Sequence, residues 1–186
     1  MKRLFDITIS LLSLALLCIP ILVISLLVKL TSTGPIIYWS DRVGKNNKIF
    51  KMPKFRTMHA GTPQVATHRL SHPDKYLTCI GKFLRKSSLD EIPQLVSILK
   101  GNMSFVGPRP ALFNQDDLID LRTKKGVHTL APGITGWAQI NGRDELSIPV
   151  KVEYDEYYLK NRCFLLDLKI LWITIFKVFK CEDVSH

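Results

Sequence analysis

Between Asp6 and Lys29 the chain runs for 22 residues, ITISLLSLALLCIPILVISLLV, without one charged side chain. Coiled as a helix at about 1.5 Å per residue, this run reaches across a hydrocarbon layer of roughly 30 Å. Lys2 and Arg3 precede it, as they would in a secretory signal. The run is longer than a usual signal core, however, and no small-x-small cleavage site follows. Two features oppose a straight transmembrane span. Basic residues flank both ends, Lys2 and Arg3 before and Lys29, Arg42, Lys45 and Lys48 after, so both flanks prefer the cytoplasmic side. Pro20 removes one helical hydrogen bond and clashes with the carbonyl of Leu16, and a helix broken there can return to the face it entered. Proline is tolerated in spanning helices. The residues alone leave spanning and re-entrant arrangements evenly balanced.

A second membrane signal closes the chain. Residues 164–180, FLLDLKILWITIFKVFK, put Leu168, Leu171, Trp172, Ile175 and Phe179 on one helical face and Asp167, Thr174, Lys177 and Lys180 on the other. An aromatic-rich apolar face edged by lysines suits a helix lying in the membrane interface. A helix packed on the core explains the same pattern.

Lys and Arg outnumber Asp and Glu by 26 to 16, a formal charge of +10 that suits nucleic acid, an anionic membrane or a phosphorylated substrate. The apolar and charged fractions, 46% and 23%, are those of a folded chain and exclude disorder. Cys18, Cys79, Cys163 and Cys181 are scattered, with no zinc-site spacing, and read as free thiols. His68 and His72 have no third ligand nearby and read as surface.

The remainder predicts a compact α+β domain, mainly helical, with short strands. IIYW and KIFKMPKFRTM read as strands around the turn Val43–Asn47, and 59–73 as a loop. Residues 74–86, 90–100, 111–123 and 150–161 read as helices, and ITGWAQING as a short strand or loop. The expected division is a membrane segment over 1–30 and a catalytic domain over 31–186.

Within LRKSSLDEIPQL, residues 84–95, Ser88 and Glu91 fit a capping box, with Pro93 in the first turn. Helix capping alone can therefore explain Asp90 and Glu91. Arg85 and Lys86 just upstream change the balance, because cations and a helix start together attract phosphate. Adjacent carboxylates on a helix point about 100° apart and can take different tasks. An aspartate can attack phosphorus, provided that Mg²⁺ or fixed cations offset the negative charge it approaches. Arg109, locked between Pro108 and Pro110, is suited to phosphate or uracil. Lys54-Phe55-Arg56, Gln139–Arg143 and Glu153-Tyr154-Asp155 are further polar clusters.

Taken in order, KFRTM (54–58), LRKSSLDEIPQL (84–95), KGNMSFVGPRP (100–110), PGITGWAQINGR (132–143), YDEYY (154–158) and LDLKI (166–170) resemble the monotopic phosphoglycosyl transferases, the bacterial sugar transferase family, in its minimal single-domain form. The resemblance implies transfer of a phosphosugar from a UDP-sugar to a polyprenyl phosphate such as undecaprenyl phosphate, with release of UMP. It implies Mg²⁺ as cofactor and membrane lipid, not nucleic acid, as partner. Asp90 matches the family's nucleophile, which forms a covalent phosphosugar intermediate. Glu91 matches the second member of the pair, in a metal-binding or proton-handling role, and both carboxylates are the implied metal ligands. Lys54 and Asp155 match functional positions, and Arg56, Arg85, Arg109 and Arg143 are candidates for substrate contacts. The family's re-entrant helix on the cytoplasmic face of the bacterial inner membrane shifts the topology toward re-entrant.

Two features depart from the family. Ile19, not Ser, precedes Pro20, and the loop 59–68 lacks an acidic cluster. By likeness the chain falls with the branch acting on N-acetylated amino-deoxy sugars. Two rival readings stand beside this one. A membrane-tethered binding protein explains the charge but not Asp90-Glu91 beside Arg85. A glycosyltransferase that passes sugar without phosphate would release UDP.

Overall fold

The computed structural model describes residues 1–63, 73–142 and 146–180. His68, His72, Arg143, Cys181 and most of the expected loop over 59–73 lie outside these residues. Among those described, Cys18, Cys79 and Cys163 are free thiols.

The apolar run forms two helices, α1 (Lys2–Leu16) and α2 (Cys18–Thr31), which meet at 64°. Pro20 sits in the first turn of α2, where its missing N–H is harmless, and the bend falls one turn earlier at Leu17. The cause is the Leu16 carbonyl, which would need the N–H that Pro20 lacks. On either side the ladder is intact: Leu17 N–H bonds Ser13 O and Ile21 N–H bonds Leu17 O, both at 2.8 Å. Among the described residues no single helix is long and apolar enough to cross a membrane, and the bent pair passes that test only together.

Both helices lie on the same body. Arg3 donates to the carbonyls of Ile98 (2.5 Å) and Leu99 (2.7 Å) at the end of α4 (Leu95–Lys100). Asp6 accepts the Phe105 N–H at 3.2 Å, and Lys2 pairs with Asp167 at 2.7 Å. Ile24 and Val28 of α2 share a core cluster with Phe55 and Leu84.

The polarity of α1 is inverted relative to a water-soluble helix. Its buried residues are Asp6 and Ser10, while Leu4, Leu11, Leu12 and Leu16 face outward. The C-terminal helix α8 (Phe164–Lys180) has the same inversion. Asp167 and Thr174, on the face opposite the expected apolar one, point inward. Asp167 accepts from Lys2 and from Tyr158 Oη (2.6 Å), and Thr174 Oγ1 lies 2.7 Å from Thr135 Oγ1. Asp6, Asp167 and Thr174 each have a partner, which offsets the cost of burying them, whereas the Ser10 hydroxyl has none among the described residues. Outside lie Leu165, Leu168, Ile175, Phe176 and Trp172, the last 64% exposed.

Between these helices, β1 (Ile37–Val43) and β2 (Ile49–Phe55) form an antiparallel hairpin in register from Ile37↔Phe55 to Val43↔Ile49. Asn46 and Asn47 turn it at φ near +57°, a region asparagine tolerates. A second, parallel pair, β3 (Ser104–Val106) with β4 (Gly133–Thr135), includes a strand the sequence pattern did not suggest.

Three of the expected helices are shorter than their sequence patterns suggested, whereas the one expected over 150–161 starts two residues earlier. The stretch 74–86 divides into a 3₁₀ turn, Pro73–Tyr76, and α3 (Gly81–Lys86), because Leu77 bridges to Met58. The stretch 90–100 begins as a 3₁₀ turn, Leu89–Gln94, before α4, since Pro93 cannot give the Leu89 carbonyl its α-helical donor. Helix α5 (Asp116–Lys124) starts late because Ala111 and Leu112 run along β1. Then follow α6 (Trp137–Ile140) and α7 (Ile148–Asn161).

Candidate active site

Three elements converge on Asp90 and Glu91. Strand β2 buries Met52 and Phe55 and leaves Lys54 facing the 3₁₀ turn that carries the two carboxylates. Leu89 and Ile92 of that turn pack on the two clusters beneath, so Asp90 sits over a well-filled floor and is itself only 6% exposed. Ser88 does not cap this turn with its side chain. It adopts a left-handed conformation (φ 56°) and offers its carbonyl to the Glu91 N–H at 3.1 Å. The capping box read from the sequence is therefore absent, because a backbone turn does its work.

The carboxylates are surrounded by cations. Lys54 Nζ donates to Glu91 Oε1 at 2.7 Å and lies 3.6 Å from Asp90 Oδ2. Arg109 reaches the same Glu91 oxygen at 3.3 Å. Arg85 comes from α3, which approaches closely because Gly81 has no side chain: a Cβ there would lie 2.1 Å from the Thr57 carbonyl oxygen. One turn on, Arg85 Nε donates to Thr57 Oγ1 at 3.0 Å. Burial weakens the hold of Arg85 on its proton, and the charges of Asp90 and Glu91 offset this only in part. A guanidinium stays charged under these conditions, so the site contains a poorly hydrated cation beside two carboxylates.

Arg109 is carried on a loop without slack. Gly107 lies against the Ala131 carbonyl, where a Cβ would come within 2.4 Å. The next four carbonyls each have their own donor. Pro108 O accepts from Gly133 N–H (2.9 Å), Arg109 O from Arg122 Nη1 (2.7 Å), Pro110 O from Arg42 Nη1 (3.1 Å) and Ala111 O from Val43 N–H (2.9 Å).

Lys54, Arg85, Asp90, Glu91 and Arg109 thus meet in one place. Asp155 lies elsewhere: it is 1% exposed in α7 and accepts both Nε (2.9 Å) and Nη2 (2.6 Å) of Arg122 on one oxygen. Arg56 sits at the junction of α2 and β1, where its Nε donates to Pro35 O at 2.8 Å. Arg143 lies outside the described residues. Gln139 buries its amide with neither end hydrogen-bonded among the described residues. Arg122 was not singled out in the sequence, where an arginine late in a polar helix looks like solvent-facing charge. Among the described residues no group of three or more His, Cys, Asp or Glu is placed to hold a metal ion.

The molecule combines exposed apolar faces on α1 and α8 with a carboxylate pair ringed by cations, a site suited to an anionic group. Residues 1–181 match the sequence model of the family described as bacterial sugar transferase, and the chain belongs to that family. It is 42% identical to the uncharacterized sugar transferase EpsL of Bacillus subtilis (strain 168), over all of this chain and 91% of the relative. It is 39% identical to the UDP-glucose:undecaprenyl-phosphate glucose-1-phosphate transferase of Escherichia coli (strain K12), over 96% of this chain but 40% of that protein. It is 36% identical to the UDP-N-acetylgalactosamine-undecaprenyl-phosphate N-acetylgalactosaminephosphotransferase of Aeromonas hydrophila, over 94% of this chain and 42% of the relative.

Proposed function

We propose that the chain transfers a phosphosugar from a UDP-sugar to a polyprenyl phosphate at the cytoplasmic face of a bacterial membrane, through a covalent intermediate on Asp90. The observation that carries this reading is the Asp90–Glu91 pair held among Lys54, Arg85 and Arg109. A carboxylate approaching a diphosphate meets like charge, and fixed cations around the pair offset it. Lys54 Nζ lies 2.7 Å from Glu91 Oε1 and 3.6 Å from Asp90 Oδ2, so one ammonium offsets the charge of both carboxylates.

In the first step an Asp90 carboxylate oxygen bonds the β-phosphorus and the bond to the UMP oxygen breaks, so UMP leaves with that electron pair. In the second, a polyprenyl phosphate oxygen attacks the same phosphorus and Asp90 leaves as free carboxylate. Adjacent carboxylates plus diphosphate oxygens fit the hard-oxygen preference of Mg²⁺, which binds through one or two carboxylates and substrate phosphates. Asp90 and Glu91 would hold the ion, which would supply neutralisation of phosphate charge. The named relatives cover glucose and N-acetylgalactosamine phosphotransferases, and an N-acetylated amino-deoxy sugar is our choice of donor for this chain.

The inverted α1 and α8, together with both ends of the bent anchor meeting one body, support a monotopic, re-entrant arrangement. The test is a panel of UDP-sugars with undecaprenyl phosphate and Mg²⁺, read for released nucleotide. UMP is expected from at least one donor, and UDP in its place would refute the reading. Asp90→Asn is expected to lower turnover at least ~10³-fold and to abolish covalent labelling in a folded protein. A tag at residue 1 reached only from the periplasm would overturn the topology.

A further inference from the structure

Arg122 and Asp155 form a buried ion pair on α5 and α7, away from the carboxylates that the proposed chemistry uses. Asp155 is 1% exposed and Arg122 is 8% exposed. Such a pair loses hydration on both sides and is, as a source of stability, no better than a well-packed apolar pair. Its geometry points to another use. Asp155 Oδ2 takes both Nε and Nη2, which fixes the plane of the guanidinium. The remaining nitrogen, Nη1, is thereby aimed at one acceptor, the carbonyl of Arg109, at 2.7 Å.

That carbonyl belongs to the residue whose side chain reaches Glu91. Its loop neighbours are held by backbone donors and by Arg42, and Arg122 donates to the carbonyl of the central residue itself. Lysine could keep the charge but not the fork, and no lysine donates to two acceptors in this fixed plane.

We propose that Arg122, oriented by Asp155, is the positioning residue that sets Arg109 against Glu91 during transfer. The proposal rests on the phosphosugar-transfer reading for its kinetic arm only. A displacement of about 1 Å near reacting groups costs on the order of 10²-fold in rate. Arg122→Lys and Asp155→Asn are each expected to lower kcat by roughly that factor in the intact protein, with unfolding still cooperative.

The deciding measurement is a double-mutant cycle with Arg109→Ala. If Arg122 acts through Arg109, adding Arg122→Lys to Arg109→Ala lowers kcat by less than about threefold. Losses that multiply in full would overturn the proposal, because a merely structural role would persist without Arg109. A second arm is independent of activity. In ¹⁵N-arginine-labelled protein, the Arg109 Nε–Hε resonance, assigned by its loss in Arg109→Lys, reports the setting of a side chain whose Nη2 meets Glu91, and is expected to shift or broaden in Arg122→Lys and in Asp155→Asn. An unchanged resonance in both would sink the idea. If the parent releases UMP from no donor, the transfer reading falls, and this spectroscopic arm alone decides the positioning role. Two variants are read so that misfolding of one leaves the other decisive.

Discussion

Lys54 is the residue on which the cationic ring turns, since its ammonium approaches both carboxylates, at 2.7 and 3.6 Å. Lys54→Met keeps much of the stem and removes the ammonium, leaving two carboxylates side by side with less compensation. The expected result is a loss of about 10²-fold or more in kcat, measured as UMP release. At this scale much was legible in the chain. Lys54, Asp90, Glu91 and Arg109 stand in short strings, each of which alone reads as a surface or capping feature, and it is the order of the strings along the chain that marks them out. Arg122 and Asp155 were harder to interpret. A buried ion pair between two helices leaves no trace in spacing, because its partners lie 33 positions apart and each looks like one more surface charge. Ser88 was misjudged for a local reason: the Ser-x-x-Glu pattern is shared by a capping box and by a left-handed turn.

Among the elements, α7 depends on surface charge at one more point. Glu156 bridges Lys160 (2.6 Å) and Lys125 (2.9 Å), tying α7 to the end of α5. Its hydrogen bonds to Lys160 and then Lys125 hold its carboxyl below the ordinary glutamate range. A carboxylate whose folded pKa is depressed stabilises the fold above its unfolded value, near 4.3, and that contribution disappears as pH falls through the folded value. Wild type should therefore melt slightly above Glu156→Gln at neutral pH, and the two curves should merge below the glutamate range. A difference that persists at low pH would assign the effect to packing. Tyr158 behaves in the opposite sense: burial and its bond to Asp167 push the phenol far above its ordinary value, so it stays a donor at any physiological pH. Element type was well marked by periodicity in α7 and α8 and by alternation in β1 and β2. Boundaries near proline moved, as Pro20 and Pro93 each shifted a break to the carbonyl they leave unsatisfied. The three-residue strands β3 and β4 carry too few side chains for any period to register.

For the whole molecule, the outward residues of α8 test the lipid-facing reading without touching the site. Leu165→Glu with Trp172→Glu changes side chains that are mostly exposed already, so the folded body should keep its melting temperature in detergent. Co-flotation with anionic vesicles is expected to fall severalfold, since each substitution removes apolar area from the bilayer and adds a repelled charge. Unchanged flotation would assign anchoring to α1 and α2 alone. The inward polar face of α1 has a consequence of another kind. Asp6 satisfies a strand amide, Arg3 closes the end of α4 and Lys2 neutralises Asp167, so α1 is also part of the interior. Cutting it away to obtain a soluble fragment would expose those groups rather than free a domain. The exposed leucines of α1 come with those contacts, so the choice of detergent or nanodisc becomes a variable in every measurement made on the chain.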